Sequence, residues 1–148
     1  MKRRGFTLIE MMVVVVVLGV LVNIAVPVYR DIRLRADAAR VIADFATIRL
    51  AAYDQFTSSG LYPGHSGWRV VPAVFQSTLP GGFKFEYKTA RYRWRRWSRA
   101  DGTARNPNRQ AQLAVQVRSN DRNFITAIRN QFKGDSYGNR RQITLIIE

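Results

Sequence analysis

From Met11 to Val22 the chain carries no polar side chain. The apolar run extends on both sides, from Phe6 to about Tyr29, and is broken only by Thr7, Glu10 and Asn23. That is close to the ~20 apolar residues a helix needs to cross a bilayer. Val13 to Val17 are β-branched and poor helix formers in water. In hydrocarbon only a helix satisfies its own backbone, so the run predicts a membrane helix. Gly19 and Pro27 interrupt it. Pro27 removes a backbone donor, and the two residues are either simply tolerated in lipid or form a flexible point.

Beyond Arg30 the period stays helical while the composition changes. Leu34, Ala38, Val41, Phe45, Ile48 and Ala52 recur at steps of four and three and fall on one face. Arginines and aspartates, Asp37 and Asp44 among them, fill the rest and are expected in water or paired with arginine. One helix from Phe6 to about Phe56 would be ~75 Å long, ended by Thr57-Ser58-Ser59-Gly60 with Gly60 as its cap. A loop over 61–67 and a short helix over Pro72–Thr78 follow. Strand alternation then appears at Phe83-Phe85-Tyr87, at Tyr92 and Trp94, at Leu113-Val115-Val117 and at Ile143-Leu145-Ile147. Phe124, Ile125, Ile128 and Phe132 have helical spacing; Ser98–Arg109 and Gly134–Arg141 read as loops. The pattern predicts an α+β fold: a long N-terminal α-helix, its first half transmembrane and its second half amphipathic, packed against a small antiparallel β-sheet head of about four strands.

Composition changes this picture in two ways. The formal net charge is +14, and loss of Lys2, Arg3 and Arg4 would leave +11, so the head favours anionic partners. There is no cysteine, so a head outside the cytoplasm must hold together by packing alone. With no Cys/His cluster, no glycine-rich phosphate loop and no nucleophile motif, the chain is not expected to be an enzyme, nor to use a cofactor, metal or small-molecule substrate. His65, the single histidine, lies among proline and glycines and reads as loop.

Before the apolar run stand Lys2, Arg3, Arg4 and Gly5, a basic tip that ends in the one residue without a Cβ. Gly5-Phe6-Thr7-Leu8-Ile9-Glu10, with the helix behind it, resembles the processing site of type IV pilins and of type II secretion pseudopilins. Gly19 and Pro27 also sit where that family usually has glycine and proline. Ala52-Tyr53 through Gly60-Leu61-Tyr62-Pro63 is similar to a segment of the major pseudopilin. The calcium-binding loop of that protein has only a thin counterpart in Asp135-Ser136-Tyr137-Gly138-Asn139, and the cysteine pair of many pilins is absent.

The resemblance implies residue-specific roles. A prepilin peptidase would cut between Gly5 and Phe6 and the new Phe6 amine would be N-methylated. Glu10 would pair with the Phe6 amine of a neighbouring subunit during filament assembly. The residues themselves allow two further roles for Glu10: Thr7-Leu8-Ile9-Glu10 fits a capping box, and the carboxylate could reach back to the membrane interface. The division expected is a cleaved leader over 1–5, a transmembrane and filament-core helix over 6–29, and a periplasmic head over 30–148 that includes the rest of the helix. The chain would sit in the bacterial inner membrane as a single pass with its N-terminus cytoplasmic, and then in a periplasmic or surface filament. Its partners would be the peptidase, itself and other pilin-like subunits. The function implied is a structural subunit of a type II secretion pseudopilus. The alternative is a minor type IV pilin whose basic head binds DNA or another polyanion, or mediates adhesion. Arg91, Arg93 and Arg95 share one face of a strand beside Arg96 and are the candidate anion-binding residues, with Trp97 as a stacking platform. The same pattern fits an ordinary two-faced strand, with aromatics in the core and arginines in water.

Overall fold

The structure, a computed structural model, describes residues 6–99, 101 and 112–147. Helix α1 runs Leu8–Ser59, 52 residues, with Pro27 inside it. The chain divides at Leu34 and Arg35 into two units.

In the first unit every large apolar side chain from Phe6 to Ile32 is exposed. Among the described residues this stretch belongs to the one helix long and apolar enough to cross a membrane.

The second unit starts within α1. Ala38, Val41, Phe45, Ile48, Ala51 and Ala52 are buried, the stripe that the spacing predicts, while Leu34 is only half-buried. A short 3-10 helix, Ala73–Phe75, lies inside the predicted segment and buries Phe75 against Trp94, ring centroids 5.2 Å apart. The sheet holds five antiparallel strands: β1 Glu86–Tyr87, β2 Ala90–Arg96, β3 Leu113–Arg118, β4 Ser136–Asn139 and β5 Gln142–Ile146, in the order β1-β2-β3-β5-β4. Between β3 and β4 stands α2, Arg122–Gln131, whose N-cap Asp121 accepts from the amides of Asn123 and Phe124. Two expectations are corrected. The predicted loop Gly134–Arg141 contains β4, making five strands rather than four. And Phe83 precedes the sheet, although the Phe85 carbonyl still accepts from the Tyr92 amide at 2.8 Å.

The face of the sheet that carries Tyr92, Trp94, Val115, Val117, Ile143 and Leu145 is buried, as are Phe124, Ile125 and Ile128 of α2. Phe45 of α1 meets Phe132 edge to face at 5.1 Å, and the Gln131 amide donates to the Arg35 carbonyl. One position breaks the apolar rule. Asp44 is 6% exposed, accepts from the Tyr92 hydroxyl at 3.0 Å and pairs with Arg40 at 3.2 Å. Burial raises its carboxyl above the ordinary range despite both partners. The expectation that Asp44 faces water or pairs with arginine is thus met by Arg40, although the carboxylate itself is buried. Asp37 pairs with Lys88 at 2.5 Å and accepts from the Tyr87 hydroxyl at 3.1 Å.

Candidate functional site

The N-terminal site is built on the first turn of α1. Glu10 stands three residues after Thr7, and its Oε2 accepts from both the Thr7 amide and the Thr7 hydroxyl at 2.8 Å. The Glu10 amide donates back to Thr7 Oγ1 at 3.3 Å, which closes a capping box over donors that the helix cannot satisfy itself. Phe6, just ahead of the cap, is exposed. Gly5 and the basic leader lie outside the described residues. A Cβ built on Gly19 would meet nothing within 4 Å, so packing within this chain does not require the glycine. Pro27 leaves the carbonyl four residues back without its usual helical donor.

The predicted arginine row does not act as a unit. The Arg93 guanidinium lies over the Trp68 ring, 4.2 Å from its centroid, and its Nε donates to Gln116 Oε1 at 2.7 Å. Gln116 in turn donates to Thr144 at 3.1 Å, so a ladder of polar contacts crosses β2, β3 and β5. Burial first, then the neighbouring Arg95 and Arg118 charges, hold Arg93 below the usual arginine value. Arg95 lies over Trp97 at 5.4 Å. Arg96 sits on the opposite face from the row, where its guanidinium donates to the Tyr62 carbonyl and its backbone amide to His65 Nδ1. His65 is thus a loop residue with a defined partner. Of the four arginines, Arg91 alone is exposed; the others are half-buried. Most of the predicted Ser98–Arg109 loop lies outside the described residues.

The open positive charge gathers at one end of the sheet. Arg91 of β2 stands opposite Arg118 of β3 in the strand register. A cleft of about 410 Å³ is lined by both, together with Arg69 and Lys88, which are already paired with Glu86 and Asp37. A second cleft of about 470 Å³ shares Arg118 and adds Arg122, Arg140 and Arg141, with no carboxylate in its lining. Sequence reasoning missed these residues because they come from β3, α2 and the β4–β5 turn. The Arg140-Arg141 pair in a turn was the one local sign.

The prokaryotic N-terminal methylation motif matches residues 1–25. The chain is 40% identical to a fimbrial protein of Pseudomonas aeruginosa over 50 residues, 34% of this chain and 32% of that protein. It is 47% identical to the type IV narrow pilus major component of Thermus thermophilus over 51 residues, 34% of this chain and 44% of that one. A probable minor fimbrial protein of Dichelobacter nodosus is 44% identical over 81 residues, 55% of this chain and 51% of that one. The chain thus spans about a third to a half of the length of these relatives, and no solved structure gives a significant match. In its N-terminal motif and in the apolar helix which that motif opens, the chain is type IV pilin-like.

Proposed function

We propose that this chain is a structural subunit of a pilin-like filament, cut between Gly5 and Phe6, methylated on Phe6 and assembled through the first half of α1. The observation that carries the reading is the exposure of every large apolar side chain from Phe6 to Ile32. Such a surface is stable only in lipid or against other helices, and a subunit that moves from one to the other uses both. Glu10 is the polar group at the mouth of this surface, and in the filament it pairs with the Phe6 amine of a neighbour. Gly19, with open space around it, allows a neighbouring helix to approach closely. The N-terminus is cytoplasmic and the head periplasmic before assembly, as the basic leader directs.

Of the two machines that use such subunits, the type IV pilus, with this chain as a minor pilin, is the reading we prefer. The Dichelobacter nodosus match supports it, because its 81 residues reach well past the 25 of the methylation motif. The Tyr53 to Pro63 segment supports the secretion pseudopilus. There Tyr62 is buried and stacks on Phe56 with centroids 4.4 Å apart.

The test is expression beside a prepilin peptidase. Gly5→Leu should leave a precursor that migrates above the processed form, and Glu10→Gln should insert normally but yield no sheared filaments. Normal cleavage of the first variant, or normal filaments from the second, would overturn the respective role. In the native host, loss of surface pili without loss of protein secretion supports the pilus; the reverse supports the pseudopilus.

A further inference from the structure

We infer that two copies of this chain pair within the membrane, before any filament forms, through the face of α1 that carries Gly19, Asn23 and Pro27. The inference rests on the reading of the first half of α1 as a membrane helix, and not on the filament.

Three observations carry it. First, Asn23 places a primary amide in an otherwise apolar stretch. It is exposed, and among the described residues its side chain has no hydrogen-bond partner. It stands six residues before Tyr29, ~9 Å along the helix axis, too deep for so short a side chain to reach the headgroups. Second, Pro27 has no amide hydrogen, and the carbonyl it leaves without a helical donor is that of Asn23 itself. One position therefore presents a side-chain donor and a backbone acceptor to hydrocarbon, where each costs free energy unless it is bonded. Third, Gly19, Asn23 and Pro27 follow at steps of four and share one face of the helix. A Cβ on Gly19 would meet nothing within 4 Å, so a second backbone can come close one turn away from the amide.

The occupant that fits this face is a second copy. Copies inserted in one orientation bring their Asn23 residues to the same depth. The pattern is also self-complementary: the amide of one copy donates to the freed carbonyl of the other, and twofold symmetry forms the reverse bond as well. A wholly apolar helix could pack on Gly19 but would satisfy neither polar group, and lipid tails satisfy neither. Close packing at Gly19 draws the helices together, and the two hydrogen bonds fix their register. The contact is separate from the one at Glu10, which lies ~20 Å away along the axis.

The experiment uses the full chain in phosphatidylcholine vesicles. Because the chain has no cysteine, Ser58→Cys, at an exposed position, takes a donor or an acceptor dye, and energy transfer is followed as the protein is diluted with lipid. Transfer should fall along the curve of a monomer–dimer equilibrium. Asn23→Leu, which makes the helix more apolar, should weaken pairing about tenfold, since two hydrogen bonds are lost per pair. Gly19→Leu should weaken it about as much by keeping the backbones apart. Pro27→Leu restores the helical donor and should weaken it about threefold, whereas Asn23→Gln keeps the amide and should stay within about threefold of the parent. Ala25→Leu, on the opposite face from Asn23, should leave pairing unchanged. Flotation with the vesicles separates the two readings. A chain that does not float would overturn the membrane reading and this inference with it. A chain that floats but shows no dilution-dependent transfer, or pairs equally well as Asn23→Leu, would overturn the pairing and leave the membrane reading standing.

Discussion

Tyr92→Phe isolates one hydrogen bond in the core of the head. Tyr92 is 1% exposed and Asp44 is 6% exposed, and the phenol donates to the carboxylate at 3.0 Å. Phenylalanine keeps the ring and opens no cavity, so the loss is electrostatic. Arg40 remains at 3.2 Å, but its side chain is 62% exposed and its attraction is weakened by water. A hydrogen bond to a buried charged group is worth about 1.5–3 kcal/mol, and a ~2 kcal/mol loss lowers Tm by about 10 °C in a domain of this size. The sign of the pH dependence follows from the direction of the shift. The Asp44 carboxyl is raised in the folded state, so the folded state holds the proton more tightly than the unfolded one. Stability from this group therefore falls as pH rises from the unfolded value through the folded one. Removing the phenol raises the carboxyl further and deepens that fall. Thermal unfolding by near-UV circular dichroism should show the full loss at pH 7.5 and a visibly smaller loss at pH 4.5. Asp44→Asn in the Tyr92→Phe background should recover part of it at pH 7.5. A Tm change below 2 °C, or one that is equal at the two pH values, would refute the reasoning.

Two other substitutions test the sheet. A Cβ on Gly138, where φ is 153°, would lie 2.2 Å from the Gln142 carbonyl oxygen and 2.9 Å from Ile143 Cα, both backbone atoms. Gly138→Ala should therefore cost roughly 3 kcal/mol in urea unfolding through displacement of β4, whereas Gly81→Ala, with open space around it, should be near neutral. Lys88 has a φ of 52° in the two-residue turn between β1 and β2, a place for glycine, yet its ammonium holds Asp37. Lys88→Ala loses the pair and keeps the strain, for a cost of about 1 kcal/mol, while Lys88→Gly relieves the strain and should end within about 0.5 kcal/mol of the parent. Equal stabilities of the two variants would show that the turn is not strained.

The helices were legible because their signals are long and periodic. The stripe from Ala38 to Ala52 is buried as its spacing requires, and Phe124, Ile125 and Ile128 bury the predicted face of α2. Asp44 could have been read as buried, since it stands three residues after Val41 and four before Ile48, on the same face. Strand β4 escaped because Ser136-Tyr137-Gly138-Asn139 has a turn-like composition; the pairing with β5, not propensity, makes it a strand. The site was only half legible. The Thr7–Glu10 spacing exposed the cap, because both partners lie on one turn. The row on β2 was visible as alternation, but not its use, because Trp68 and Gln116 come to Arg93 from distant segments. The Arg118 clefts depend on the β2–β3–β5 register, which pairs residues far apart in sequence.

The capping box has a consequence for how firmly subunits hold together. Glu10 is already satisfied by two contacts of 2.8 Å within its own chain. A neighbour's amine that draws it away must replace them, so the exchange yields little net binding energy. In the filament proposed above, cohesion would therefore come from the apolar surface of α1, and Glu10 would add little to it.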